Sequence, residues 1–174
     1  DFQDNFIPQF EINTVSINEQ FSPLINFDMN WLNSLSTRVE IKKSRTISLS
    51  LANNQITEVL NNELVIGAGY RFEDVQIIIR TGGVRRDLKS DLNVRADFSI
   101  KDNKTLSRKL LEDVTQAVAG QRILSIKTTA DYVLSDRFNL SVFFDHMFTN
   151  PFVARTFPTA NTNFGFSLRF TLVQ

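Results

Sequence analysis

From Asn163 to Leu172 the chain alternates polar and apolar side chains without a break, with Phe164, Phe166, Leu168, Phe170 and Leu172 against Asn163, Gly165, Ser167, Arg169 and Thr171. A period of two is that of a β-strand, whose successive side chains point to opposite faces. A face of three phenylalanines and two leucines requires an apolar surround, and its opposite requires water. No apolar run reaches the ~20 residues of a membrane-spanning helix, so a membrane reading of this chain rests on strands.

Segments that alternate over roughly 9–11 residues, the length a tilted strand needs to cross a bilayer, number about eight. The first lies between Phe10 and Ile17 and shifts phase near Thr14, which reads as a bulge, and the second carries Phe27, Met29 and Trp31. A third keeps one parity from Val39 through Ile41, Lys43, Arg45, Ile47, Leu49 and Leu51, and only its latter half is apolar enough to face lipid. Leu64, Ile66, Ala68, Tyr70 and Phe72 define the fourth. The fifth is the cleanest, with Leu88, Leu92, Val94, Ala96, Phe98 and Ile100 on one face and Lys89, Asp91, Asn93, Arg95 and Asp97 on the other. A sixth presents Leu124, Ile126, Ala130 and Tyr132, and a seventh Phe138, Leu140, Val142, Phe144 and Phe148. The eighth is the segment from Asn163. The expected fold is all-β, a transmembrane antiparallel β-barrel.

Connections sort by length: Asn33 to Ser36 and Ser135-Asp136 are short, whereas Asn53 to Asn61, Asp102 to Gly120 and Asn150 to Ala160 are long and turn-rich. With the last strand ending in the periplasm, the short turns fall inside and the long loops outside, as in bacterial barrels. Glu73 to Asp87 is the exception, its Val75 to Arg80 run extending a hairpin with Gly82-Gly83 as the turn. Between Asp102 and Gly120, Leu106, Leu110, Val114 and Val118 recur every four residues, so a short helix stopped by Gly120 and a hairpin tip both fit. A soluble lipocalin-like barrel would turn the apolar faces inward. Phe-rich faces on nearly every strand favour lipid instead, as do Trp31, Tyr70 and Tyr132 near strand ends, where an aromatic belt would lie.

Composition narrows the function classes. Lys plus Arg equals Asp plus Glu at 19 each, so no net charge advertises a nucleic-acid partner. The absence of cysteine excludes disulfide scaffolds, thiolate zinc sites and cysteine nucleophiles. Sixteen phenylalanines against one Trp and two Tyr suit rings that face hydrocarbon without a polar handle. The chain opens at Asp1 with no methionine and no leader, which reads as a processed or truncated piece.

Chemistry finds little purchase. His146, the sole histidine, follows Asp145, and adjacent strand residues face opposite ways; the imidazole is expected on the apolar face at a membrane interface rather than in a relay. Gly67-Ala68-Gly69 is a partial dinucleotide fingerprint with no helix after it, and such glycines more often let a ring pack, here that of Tyr70. Asn53-Asn54 and Asn61-Asn62-Glu63 lack the order of a calcium loop. A lipid-modifying enzyme would want a Ser or His pair on the lipid face near the outer rim, for which His146 is the lone candidate. The expectation is no enzyme, no cofactor and no metal.

Two resemblances sharpen this. Asn163, Gly165, Leu168 and Phe170 form a polar-x-Gly-x-x-apolar-x-apolar pattern that resembles the C-terminal β-signal read by the barrel assembly machinery. More specifically, long strings resemble the C-terminal end of the SprA (Sov) family, the giant outer-membrane translocon of the type IX secretion system in Bacteroidetes, which also serves gliding motility. They are Thr37 to Asn53, Asn62 to Phe72, Leu88 to Phe98, Thr129 to Phe138 and Asn161 to Phe170, most of the chain from Thr37 onward.

The resemblance implies that residues 1–174 are a single C-terminal segment of a cell outer-membrane barrel, part of a wall approaching the ~36-strand extreme. It implies a protein-conducting channel for folded cargo bearing C-terminal signal domains. Implied partners are outer-membrane lipid, the rest of the giant chain, a PorV-like protein at the lateral opening and plug proteins. Lys89, Asp91, Asn93, Arg95 and Asp97 would line the lumen, their mixed signs avoiding capture of cargo of either charge. The alternative is an independent eight-strand outer-membrane barrel with a binding or structural role, in which the same residues interlock as salt bridges.

Overall fold

The computed structural model describes residues 12–31, 34–81, 84–112, 114–135, 138–153 and 156–171. They form one antiparallel sheet of seven strands: β1 (Thr14–Asn30), β2 (Leu35–Ser50), β3 (Gln55–Thr81), β4 (Val84–Lys109), β5 (Val114–Ser135), β6 (Phe138–Pro151) and β7 (Thr159–Phe170). Each strand pairs with the next in chain order. Among the described residues β1 and β7 do not meet, so the sheet is an open meander with two free edges and not a closed barrel.

The described residues form seven strands rather than eight because the first two sequence segments, as far as they are described, belong to one strand. The residues before Ile12, Phe10 among them, lie outside the described set. From Thr14 the phase holds to Phe21, pairing Thr14 with Ser50 and Phe21 with Lys43, and resumes at Ile25 opposite Ile41. The irregularity is therefore at Ser22-Pro23-Leu24 and not at Thr14. Pro23 brings no N–H to the ladder, and such a residue is tolerated on an edge strand at a bulge. A proline between two half-patterns looks like a strand end in sequence.

Two of the three expected long loops are also strand. The 53–61 segment is mostly the start of β3, paired from Gln55 with both Ser50 and Lys109. The 102–120 segment is a hairpin: β4 runs to Lys109 opposite Val114, and no helix forms on the Leu106, Leu110, Val114, Val118 period. Both arms carry polar side chains on both faces, which hides the alternation while the backbone still pairs along the ladder. The turns that remain are tight. Ser34 and Asn54 adopt φ of 58° and 49° in two of them, a region that short polar residues tolerate. Only the 150–160 connection is long, with β6 ending at Pro151 and β7 starting at Thr159.

The β3–β4 hairpin extends as expected, Thr81 pairing with Val84, while Gly82-Gly83 lie outside the described residues. The β2 ladder stops at Leu35 opposite Tyr70 and the β5 ladder at Tyr132 opposite Leu92, so beyond that line β3 and β4 continue as a two-stranded arm. Its root is a bulge. Phe72 faces Leu92 and Val75 faces Ser90, leaving Glu73 and Asp74 opposite Asp91, with Asp74 at φ 59°. The Tyr132 hydroxyl donates to the Val75 carbonyl at 3.0 Å, and at 3% exposure Tyr132 is the one large apolar side chain buried among the described residues.

Among the described residues there is accordingly no hydrophobic core. Backbone ladders and cross-strand pairs hold a single layer together, each such pair contributing about 0.2–1 kcal/mol.

Candidate functional site

Register gathers most apolar residues of the seven strands on one face, in five consecutive rows, while Val65, Ile123, Phe143 and Met147 fall on the other. From the end where β7 stops, the rows run through Phe72, Leu92, Tyr132, Leu140 and Leu168; Tyr70, Val94, Ala130, Val142 and Phe166; Met29, Ala68, Ala96, Phe144 and Phe164; Phe27, Val39, Ile66, Phe98 and Ile126; and Ile25, Ile41, Leu64, Ile100, Leu124 and Phe148. On each of β3 to β7 the band is nine residues long, as in Leu64 to Phe72. Eight steps span about 27 Å along a strand, or about 21 Å normal to a membrane at a 35–45° tilt, close to the ~25 Å apolar belt of outer-membrane barrels. The third sequence segment joins this band through its first half, Val39 and Ile41, rather than Ile47 and Leu49, which face Glu58 and Ile56.

The band is open to its surroundings. Ile25, Phe27, Ile66 and Phe72 are about half exposed, and on edge strand β7 Phe164 and Phe166 reach 72% and 69%. A continuous face of this size far exceeds the apolar patches that soluble monomers leave in water.

One row further, still on this face, composition changes abruptly to Lys43, Asn62, Asp102, Arg122 and Asn150 across β2 to β6. Arg122 grips Asp102 with two parallel bonds, Nε to Oδ1 at 2.7 Å and Nη2 to Oδ2 at 2.8 Å, and this hydrogen bonding holds the Asp102 carboxyl below the usual carboxylate range. The Lys104 ammonium lies 4.9 Å and the Arg122 guanidinium 5.9 Å from the centre of the Phe152 ring. At the opposite rim, Trp31 donates from Nε1 to Thr37 Oγ1 at 3.1 Å, and Tyr70 meets Phe72 edge-on at 4.6 Å. Tyr132, expected with them in a belt, is instead buried against the bulge.

The reverse face is polar, with charge sign alternating from strand to strand. One row reads Asp28, Arg38, Gly67, Asp97, Lys127, Asp145 and Asn163, and another Lys42, Glu63 and Lys101. Glu40, 6% exposed, lies between Arg38 and Lys42 and accepts from both, with Lys42 at 3.4 Å. The alternation leaves no single-sign field on this face.

The five polar candidates of β4, Lys89, Asp91, Asn93, Arg95 and Asp97, share this face but divide into two groups. Asn93, Arg95 and Asp97 stand behind the apolar band. Lys89 and Asp91 lie past it, where Asp91 accepts from the Arg71 guanidinium and, at 3.3 Å, from the Asp74 N–H, while Lys89 bonds Asp74 at 3.0 Å. Those two brace the bulge.

Of the β7 candidates, Leu168 and Phe170 sit on the band face, Phe170 edge-on to Phe138 at 6.3 Å, while Asn163 and Gly165 sit on the polar face. The ring of Phe143 lies over Gly165, so close that a Cβ there would come within 2.5 Å of it. This is the ring-over-glycine packing expected at Tyr70. Tyr70 points to the other face, and Gly67 and Gly69 leave room for the Asp97 carboxylate and the Ser36 hydroxyl instead.

His146 is on the band face and Asp145 on the other, as their adjacency predicted; the ring Nδ1 and Thr162 Oγ1 form a 2.7 Å hydrogen bond. The polar row at Lys43 and the Arg71–Asp91 brace escaped sequence reading. Their one signal is a charged residue interrupting apolar parity, as at Lys43 and Asp102. No protein-family model matches this chain, and no curated protein does.

Proposed function

We propose that this chain is a section of an outer-membrane barrel wall, its apolar band in lipid and its polar face on a water-filled lumen, in a translocon that conducts folded protein cargo of the type IX kind. The observation that carries the membrane reading is the band: five rows, apolar except at Thr37, Thr128, His146 and Thr162, nine residues tall on five neighbouring strands and ended by a polar row on the same face. A soluble role would require a second layer over those rows, and among the described residues nothing packs over them. The free edges of β1 and β7 favour a wall section over the small self-contained barrel, which needs those two strands paired. The translocon reading rests on the strings resembling the SprA family, and the sign-alternating polar face supports it, since a conduit for varied cargo works best without a single-sign field.

A photo-crosslinking residue at Arg95 or Lys127 of the full polypeptide, in cells making cargo with a C-terminal signal domain, tests the conduit. Adducts with cargo are expected from these positions and not from Phe98 or Ile126. Equal capture from both faces, or capture from neither, contradicts the proposal.

A further inference from the structure

Past the line of Tyr70 and Leu92 the ladders of β2 and β5 have ended, and β3 and β4 run on as a two-stranded arm, from Val75 opposite Ser90 to Thr81 opposite Val84. The arm lies outside the apolar band, and among the described residues neither of its outer edges has a neighbouring strand. Its root is braced. The Tyr132 hydroxyl donates to the Val75 carbonyl, Lys89 bonds Asp74, Arg71 donates to Asp91, and the Ser34 hydroxyl donates to Glu73 at 3.4 Å.

The two edges of the arm differ. Along β4, Val84 to Ser90 carries four charged residues in seven, Arg85, Arg86, Asp87 and Lys89, a composition that discourages a further strand. Along β3, Val75 to Thr81 carries one charge, Arg80, no proline or glycine, and three consecutive isoleucines, of which Ile78 is 52% exposed. A two-stranded ribbon is marginal in water, and an edge so unguarded is a template for a third strand.

Charge decides what that strand is. The acids of the root, Glu73, Asp74 and Asp91, are engaged there by Ser34, Lys89 and Arg71. Between Val75 and Leu88 the sequence sets Arg80, Arg85 and Arg86 against Asp87 alone. Register places Arg80 opposite Arg85, and like charges directly opposite one another weaken a ladder, a cost that a neighbouring carboxylate relieves. We infer that the β3 edge of the arm takes up an extended acidic segment of another protein as a third strand, its backbone pairing along Val75 to Thr81, with apolar residues beside the isoleucines and carboxylates toward the arginines. The inference rests on the membrane reading, which puts the arm in water beyond the bilayer.

The test uses the full polypeptide in detergent and a fluorescent seven-residue peptide alternating valine and glutamate, beside a peptide of the same length alternating valine and lysine. The acidic peptide is expected to bind about tenfold more tightly than the basic one, the worth of two or three exposed ion pairs. Its binding should slow amide exchange within residues 75–81 and leave β7 unchanged. The R80E/R85E double variant should reverse the preference. Equal affinity for both peptides, an unaltered preference in the double variant, or binding that leaves residues 75–81 exchanging as before overturns the docking edge. Gln76→Cys in isolated outer membranes separates the two questions. Modification by a membrane-impermeant maleimide without peptide binding refutes the edge alone, whereas protection until the membrane is dissolved refutes the placement of the arm and the reading beneath it.

Discussion

β7 and β3 lie in one sheet yet differ more than twofold in length, 12 residues against 27. Nearly all of β7 is band: Ala160 to Leu168 span it, and only three residues lie beyond. In β3 the band is the nine residues Leu64 to Phe72, one third of the strand. On one side of it run polar residues facing both ways, and on the other the arm rooted at the bulge. What the two strands share is the nine-residue apolar segment at the same height, so the surround sets that segment, and the remainder answers only to backbone pairing.

A charge placed at matched positions would break this comparison most forcefully. Phe164→Arg in the middle row of β7 should destabilise the sheet in a bilayer by about 2–4 kcal/mol, and Ile56→Arg in the β3 arm by about 0–1 kcal/mol. Urea unfolding of protein reconstituted in vesicles measures both, and equal losses would dissolve the distinction between band and arm.

The arms have demands of their own. Gly120, outside the band on β5, has φ 156°, and a Cβ there would meet the Asn103 carbonyl oxygen at 2.7 Å. Gly120→Ala should cost about 1–3 kcal/mol through strained backbone, in detergent as well as in a bilayer. A loss seen in the bilayer alone would place Gly120 with the band.

At the root of the two-stranded arm, Tyr132→Phe removes the hydrogen bond to Val75. It should cost about 0.5–1.5 kcal/mol and speed amide exchange around residues 73–77 while leaving β7 protected. Unchanged exchange at the bulge would show that the hydroxyl does not hold it.

The smallest effect concerns acid. Asp102 lies two residues past the band, and Arg122 depresses its carboxyl, so the folded state holds its proton less tightly than the unfolded one. That contribution is complete above the ordinary carboxylate range and fades as pH falls through it toward the depressed folded value. D102N should flatten the acid limb of stability slightly. An unaltered limb would mean that Arg122 contributes nothing there.

The band itself was legible. Leu64 to Phe72, Leu92 to Ile100, Leu124 to Tyr132, Leu140 to Phe148 and Phe164 to Phe170 each announce their face by a period of two, which needs no knowledge of neighbours. The rest depends on register, which a single strand does not carry. Val39 and Ile41 belong to the band because they pair with Ile66 and Leu64, though Ile47 and Leu49 look more apolar. The polar row of Lys43, Asn62, Asp102, Arg122 and Asn150 exists only once five strands are aligned. The 73–87 hairpin was expected, but residues 53–61 read as a loop and 102–120 left a helix and a hairpin tip both open because polar residues on both faces erase alternation, and the two halves of β1 read as separate strands because Pro23 imitates a strand end.

The central claim is that the two faces of this sheet meet different solvents, and cysteine scanning along β4 tests it most directly. Single cysteines at Asn93, Val94, Arg95, Ala96, Asp97 and Phe98 would be placed in the full polypeptide and treated with a membrane-impermeant maleimide in intact outer membranes. The account predicts a strict alternation, with Asn93, Arg95 and Asp97 positions modified and Val94, Ala96 and Phe98 positions protected until the membrane is dissolved. Modification at all six positions, or the opposite parity, would contradict it.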